Sequence, residues 1–455
     1  MRRAIRSVAR WAALAVGLAV CTAAHADAAG GNVLLLVADD LGIDASDLYA
    51  SPPRLPTAPA AAPMPNLRRL AKQGLLFNNA WATPGCSPTR ATIFTGRYPF
   101  RTGVGDPLPP DPASPTPILP PTEFGLPRAF AGTPYLLAHI GKWHLSRGIG
   151  DPNLYGWPYF AGPDPSQTAG GIKSYFRWPK TVNGVTATST AYNTTDVVDE
   201  TIGQIRAAKL QKRPYFIWAA FAAVHAPFHK PPNELHSRDS LPANGGKPYG
   251  RAYFEAMIEA LDTEIGRLLK EVDLATTTVI FLGDNGTPAT VTAPPYLPDH
   301  AKLSVYEGGV RVPLLFAGAQ VAARGRKAAG LASTVDLFPT ILQLAGIDAG
   351  TALPAGTVID GVSLLPVLSD RSGSGSVRPL VYTETFPLTF DVDYGRAIRT
   401  SRFKLIDHAD GTQQMFDLIA DPLETADLLA RGLSAVQKRK YSYLRKSMRT
   451  LLATR

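Results

Sequence analysis

Three carboxylates and an amide stand directly behind two apolar runs. Val33-Leu34-Leu35-Leu36-Val37-Ala38 stops at Asp39-Asp40, and Thr278-Val279-Ile280-Phe281-Leu282 stops at Gly283-Asp284-Asn285. Continuous apolar runs without alternation suit strands buried on both faces of a parallel sheet. Ligands of such sheets gather at the carboxyl ends of the strands, so the two polar ends can converge on one cation. Hard oxygen donors suit Ca²⁺ or Mg²⁺ rather than a metal that prefers sulfur or imidazole. Turn chemistry is the competing reading, since Asp-Asp-Leu-Gly and Asp-Asn-Gly are ordinary turn formers. On the residues alone the two readings stand level.

A second group offers cations and proton carriers. Lys142 and His144 in Gly141-Lys142-Trp143-His144 are two apart, which on a strand puts both on one face. His225 follows the apolar run Tyr215–Ala223, and Pro227 argues against His225 and His229 as a helical pair of metal ligands. Lys302 precedes Tyr306-Glu307-Gly308-Gly309-Val310-Arg311. Each residue alone is compatible with a surface charge or a hydrogen-bonded histidine. Together they supply what an anion-transfer site requires. Cys86 opens Cys86-Ser87-Pro88-Thr89-Arg90. As a thiolate nucleophile it would draw on Arg90 and a nearby histidine; as a small buried apolar residue it would need neither. Neither reading explains why Pro88 and Arg90 accompany it.

The elements that must position these groups alternate. Besides the two runs above, Tyr215–Ala223 and Val312–Ala317 read as strands. Tyr253, Met257, Ile258, Leu261, Ile265, Leu268 and Leu269 follow one helix face. Asp336 is placed to cap a helix through Leu342. Strands alternating with helices imply an α/β sandwich. Asp106–Pro127 is too dense in proline for a regular element, and residues 149–180 mix Gly and Pro with aromatics. Asp370–Ser376 reads as a flexible linker. Beyond it, strand-like pieces at Leu380–Glu384 and Ala397–Ile406 and a basic helix from about Ser434 imply a small α+β unit.

Residues 1–26 have the form of a signal peptide. Four arginines precede the apolar stretch Trp11–Ala23, and Ala24-His25-Ala26 is a small-x-small cleavage site. Cleavage near Ala26 would give a periplasmic or secreted chain. Cys21 would then be lost, and a lone Cys86 cannot form an intramolecular disulfide. The net charge of +9, four of it from those arginines, falls to +5 without them. That and the absence of a nucleic-acid-type basic block predict no nucleic-acid partner, and no second long apolar run predicts a membrane span. The expected division is a signal peptide (1–26), a catalytic domain (27–369) and a C-terminal subdomain (370–455).

Cys86-x-Pro88-x-Arg90 followed by Thr95-Gly96-Arg97 resembles the formylglycine motif of the type I sulfatases, in the alkaline phosphatase superfamily. Val37-Ala38-Asp39-Asp40, Gly141-Lys142-Trp143-His144, Gly283-Asp284-Asn285-Gly286, Asp336-Leu337-Phe338-Pro339-Thr340, Met415-Phe416-Asp417-Leu418 and Asp421-Pro422-Leu423-Glu424 extend the likeness in the family's order. Thr89 stands where many relatives carry a serine or another small residue. The resemblance implies an alkaline-phosphatase-like sandwich with a large, mostly parallel central sheet flanked by helices, plus a small C-terminal α+β subdomain. It implies a sulfuric ester hydrolase whose Cys86 is oxidised by a formylglycine-generating enzyme. One divalent cation, calcium or alternatively magnesium, would be held by Asp39, Asp40, residue 86, Asp284 and Asn285. One hydroxyl of the hydrated aldehyde would attack sulfur; after the alcohol leaves, the second would expel sulfate by C–O cleavage and regenerate the aldehyde. Arg90 and Lys142 would hold that hydrate, His144 would accept its second proton, His225 would protonate the leaving alcohol and Lys302 would contact the sulfate oxygens. The substrate would be a sulfated small molecule or carbohydrate. A phosphonate monoester or phosphodiester hydrolase with the same groups, a non-catalytic binding protein of this fold and a thiol enzyme are the alternatives.

Overall fold

The apolar run behind the first aspartates forms β1 (Asn32–Ala38) at the centre of a ten-stranded sheet. The computed structural model describes residues 30–454 except 50–59, 110, 112, 168–171, 243–249, 323, 373–374 and 387–393; the expected signal peptide lies outside them. The other strands are β2 (Gly74–Trp81), β3 (Leu136–Gly141), β4 (Tyr159–Pro163), β5 (Trp178–Val182), β6 (Val185–Ser189), β7 (Tyr215–Ala220), β8 (Thr277–Gly283), β9 (Leu314–Gly318) and β10 (Arg326–Ser333). Their order is β10-β2-β9-β8-β1-β7-β3-β4-β5-β6. The block β8-β1-β7-β3-β4 is parallel. The Val312–Ala317 run departs from the parallel reading: β9 runs antiparallel to both β8 and β2. Burial on both faces, which made the run look parallel, is common to all central strands whatever their direction.

Alternation along β1 divides two cores. Leu34, Leu36 and Ala38 face one, with the helices Asn193–Leu210 and Arg251–Leu269. Val33, Leu35 and Val37 face the other, with the helices Cys86–Thr95 and Leu337–Leu344. The cap of the last helix differs from expectation. Ser333 takes the cap position of the preceding turn, and Asp336 reaches back to accept from the Ser333 amide, completing a capping box.

A second sheet, β11 (Val381–Thr385), β12 (Gly395–Arg399), β13 (Phe403–His408) and β14 (Gln413–Asp417), is antiparallel throughout. The expected single piece at 397–406 is thus two strands around a turn. One face packs on Trp81, Val305, Tyr306 and Val310. The other packs on Tyr98 and the helix Ala435–Leu452, which Ser434 caps with a hydroxyl–amide bond to Gln437.

Candidate active site

The site is built at the carboxyl ends of two neighbouring strands. Ala38 and Gly283 are the last residues of β1 and β8 and stand in register, so Asp39-Asp40 and Asp284-Asn285 leave the sheet side by side. The Asp40 amide donates to Asp284 Oδ1 at 3.1 Å, and Asn285 Nδ2 donates to Asp40 Oδ1 at 2.8 Å. Asp40 adopts a left-handed backbone, φ 64°, which an aspartate tolerates better than most residues. Cys86 comes from a third element. It is the first residue of a helix whose ten residues are all buried, a position where the helix dipole favours negative charge. Ligand atoms of Asp39, Asp40, Cys86 and Asp284 all lie within 4.8 Å of one another.

Cations ring this cluster. Arg90, one helical turn after Cys86, sits 2.7 Å from Asp284 Oδ2 and 3.6 Å from Asp39 Oδ2 and donates to the Lys142 carbonyl at 2.8 Å. The ammonium of Lys142 is paired with Asp39. Lys302 Nζ lies 2.5 Å from Asp40 Oδ1 and 3.5 Å from Cys86 Sγ. Burial alone would raise the Asp39 carboxyl, but the charges of Lys142, His225, Arg90 and Lys302 outweigh it and hold it well below the ordinary value. Burial and the Asp39 charge move Asp284 the other way, up to about 6. Burial, joined by Asp39, also pushes the Cys86 thiol well up, so the unmodified side chain rests protonated and is a poor thiolate.

Lys142 and His144 meet the site, but not through strand alternation. β3 ends at Gly141, and His144 has φ 60°, so both project from a loop beyond the strand. His144 Nε2 donates to the Leu108 carbonyl at 2.8 Å, while its Nδ1 has no partner among the described residues. Burial first, then Lys142, holds its imidazole well below its usual value. His225 lies five residues past β7. Its Nδ1 donates to the Ala226 carbonyl at 2.7 Å and its Nε2 faces Asp40 Oδ2 at 3.9 Å.

Part of the sequence motif builds the frame instead of the site. Gly96 closes the Cys86 helix at φ 71°, and a Cβ there would meet Phe338 at 2.9 Å. Arg97 pairs with Glu123 at 2.8 Å. The proline-dense segment lies at the site as a loop, and sequence reasoning missed only its backbone contacts: the Leu108 amide donates to Ser87 Oγ at 3.0 Å and its carbonyl anchors His144. A segment without periodicity gives no signal of which backbone groups it will present.

The donor set fits a hard divalent cation. Three carboxylates converge with a cysteine, and Asn285 Oδ1 is a buried amide oxygen without a hydrogen-bond partner among the described residues. Buried polar atoms rarely stay unpaired, and an amide oxygen is an ordinary calcium ligand.

The family model described as "Sulfatase" matches residues 31–347, and that described as "N-sulphoglucosamine sulphohydrolase, C-terminal" matches residues 300–452. This chain belongs to the sulfatase family. N-acetylgalactosamine-6-sulfatase of Canis lupus familiaris is 30% identical to this sulfatase over 407 residues, covering 80% of this chain and 71% of the relative. Arylsulfatase A of Homo sapiens is 29% identical over 459 residues, covering 90% and 80%. Among solved structures, the PsFucS1 sulfatase from Pseudoalteromonas sp. has a TM-score of 0.72 at 24% identity, covering 93% of this chain and 90% of that one. The structure of BT4656 in complex with its substrate D-glucosamine-2-N,6-O-disulfate has a TM-score of 0.69 at 19% identity, covering 93% and 97%. The fold is that of the alkaline phosphatase superfamily, and the sulfatase is a sulfuric ester hydrolase with a buried acidic cluster able to bind a metal ion. Among its described residues no helix is long and apolar enough to cross a membrane.

Proposed function

We propose that this sulfatase hydrolyses a sulfate monoester of a sulfated carbohydrate to the alcohol and inorganic sulfate, with a formylglycine made from Cys86. The observation that supports this most is the convergence of Asp39, Asp40, Cys86 and Asp284 within 4.8 Å, ringed by Arg90, Lys142 and Lys302. As a hydrated aldehyde, residue 86 supplies two hydroxyls on one carbon, one to attack sulfur and one whose deprotonation releases sulfate. A divalent cation, calcium or alternatively magnesium, polarises the nucleophile and the ester oxygens when held by Asp39, Asp40, residue 86, Asp284 and Asn285.

The chain's own groups do the rest. Arg90 and Lys142 brace Asp284 and Asp39 and stand ready to hold the hydrate. Lys302, beside residue 86, offsets charge on the sulfate oxygens. With Nε2–H engaged by Leu108, His144 presents Nδ1 as the acceptor for the second hydroxyl proton. His225 acts as its imidazolium: Nδ1–H is engaged by Ala226, and Nε2–H, which faces Asp40 Oδ2 at 3.9 Å, is presented to the leaving alcohol as its proton donor, leaving the neutral Nδ1–H tautomer after the transfer. The carbohydrate class draws support from relatives and fold neighbours whose names carry sulfated sugars. We further read residues 1–26 as a signal peptide of a periplasmic or secreted enzyme, and residues 27–369 and 370–455 as catalytic domain and C-terminal subdomain.

Mass spectrometry of the tryptic peptide ending at Arg90, from natively expressed protein, tests the modification; unmodified cysteine throughout an active sample would sink it. Kinetics on 4-nitrophenyl sulfate beside an aryl phosphodiester test the ester class. Sulfate turnover is expected to dominate, and a higher kcat/KM for the phosphodiester would overturn the sulfate reading.

A further inference from the structure

The positive charge of this chain is not spread over it. Residues 428–455 contain eight lysines and arginines and not one aspartate or glutamate. Residues 1–26 hold four arginines and no acid, so these two segments account for twelve positive charges against a chain total of +9. The body between them is therefore net −3. A general solubility field would not concentrate in this way.

Five of the eight C-terminal charges sit on one side of a helix. The helix Ala435–Leu452 spends its apolar side on the small sheet, burying Leu444 and Met448 with Tyr441, Leu451 and Leu452 packed alongside. Lys438, Arg445 and Arg449 fall at i, i+7 and i+11, on one line of the helix, and Arg439 and Lys446 flank that line. All five are exposed, and among the described residues none is paired with a carboxylate. The row is about 17 Å long at the helical rise. Its arrangement costs stability: Arg445 and Arg449 are like charges at i, i+4, and no acid occupies the first turn, where the dipole would favour one.

We propose that this helix is a docking surface for a sulfated polysaccharide, holding the polymer on the enzyme while single esters enter the active site. The inference rests on the reading of the substrate as a sulfated carbohydrate; charge complementarity between an acid-free basic row and a chain of sulfates is its physical content. A membrane surface fits less well, since most of the apolar side that an interfacial helix would insert is already covered by the sheet, leaving Val436 and Tyr443 as its exposed large apolar side chains. A single-stranded nucleic acid would want aromatic platforms between the cations, and Tyr443 is the one aromatic left exposed on the helix.

The test compares the full-length enzyme with K438Q/R445Q/R449Q, whose three side chains lie outside the core. The expected result is at least a tenfold loss of affinity for immobilised dextran sulfate, a weaker salt dependence of the remaining binding, and unchanged kcat/KM on 4-nitrophenyl sulfate. Equal retention of the two proteins on dextran sulfate would overturn the proposal. So would tighter binding of the wild type to duplex DNA or to phosphatidylserine vesicles than to dextran sulfate at the same salt. Failure to hydrolyse 4-nitrophenyl sulfate would instead count against the active-site reading, and the binding comparison stands without it. R439Q/K446Q, on the flank of the row, should show a smaller loss in the same assay; a larger one would relocate the surface and overturn the assignment to the Lys438–Arg449 line.

Discussion

Two buried clusters of charge lie on either side of one short stretch of chain, Lys302–Glu307, and they are finished differently. At the sheet end, Asp39, Asp40 and Asp284 face Arg90, Lys142 and Lys302. Behind it, Glu307 and Glu424 face Arg311, Arg399 and Lys404. In the second cluster Glu307 accepts from Trp81 Nε1 at 3.0 Å and lies 2.7 Å from Arg399, while Lys404 lies 2.7 Å from Glu424. The Glu307 amide itself donates to Glu424 Oε2 at 2.5 Å. Burial would raise Glu307, but Arg399, Lys404 and Arg311 outweigh it and draw it down; burial with Glu307 pushes Glu424 up to about 7. Both carboxylates have their cations inside the chain, and the cluster ties the small sheet to Trp81 and to the Lys302 segment. In the second cluster Lys404 Nζ and Glu424 Oε1 lack an aligned hydrogen bond but face each other as an ion pair, whereas in the first Asn285 Oδ1 and His144 Nδ1 have neither kind of partner among the described residues. A closed cluster fastens, whereas an open one is shaped to receive something.

The sharpest way to break this distinction is to remove the receiving group. Cys86→Ala should lower kcat on 4-nitrophenyl sulfate on the order of 10⁴-fold or more, as loss of a nucleophile does, with an unchanged urea midpoint. Cys86→Ser, left unconverted, should release about one equivalent of alcohol and then stall, because serine lacks the second hydroxyl that expels sulfate. Sustained turnover by the serine variant would defeat the proposed chemistry.

Opening the closed cluster should do the reverse. At pH 8, where Glu424 is charged, Glu424→Gln leaves Lys404 with Glu307 at 3.6 Å as its remaining counter-charge, and breaking a buried pair from one side costs up to about 3–5 kcal/mol. Urea unfolding should show that loss, while kcat per folded molecule falls less than tenfold. A kcat loss as large as that of Cys86→Ala would show that the two clusters are not separable.

Calcium gives a third comparison. At a free concentration one hundred times its dissociation constant, a ligand of the native state alone adds about 2.7 kcal/mol to stability. The wild type and Glu424→Gln should both gain this in urea titrations with and without calcium. Asp284→Asn should lose most of it, and an undiminished gain in that variant would remove Asp284 from the proposed ligand set.

The contrast also marks what the sequence could reveal. Asp39-Asp40 and Asp284-Asn285 were legible because each ends an apolar run, and parallel neighbours bring such ends together by register. Cys86 and Arg90 were legible through the family motif alone; the helix that sets them one turn apart was not read from the sequence. Lys142 and His144 were found for the wrong reason: a spacing of two suggested a strand, whereas the loop after Gly141 delivers both. The closed cluster was hidden because Glu307, Lys404 and Glu424 are far apart in the chain, and no periodicity relates them. Leu108 was hidden for a related reason, since it acts through its backbone carbonyl, which any residue type would offer.

His139 provides the smallest and most specific test. It lies on β3, three residues before Lys142, yet it belongs to neither cluster. Trp143, Trp157, Phe160 and Trp218 surround its ring, with centroids 5.1–5.8 Å away. Burial first, then the Arg90 charge, takes its imidazole down to about 3, although Nε2 donates to the Lys142 carbonyl at 3.3 Å. The folded chain therefore keeps His139 neutral where the unfolded chain protonates it below its ordinary value of about 6.5. The unfolded state binds the extra proton, so this residue costs the native state about 1.4 kcal/mol for each pH unit between about 6.5 and 3. At pH 7 and above it costs nothing by this route. His139→Phe should lose a constant amount for the missing hydrogen bond and then gain on the wild type by that slope as the pH falls from 7 to 5. His229, lowered to about 4 mainly by burial, contributes equally to both proteins and cancels. Parallel stability curves over that range would mean that His139 is protonated in the folded state and that its aromatic surround is far more open to water than the geometry indicates.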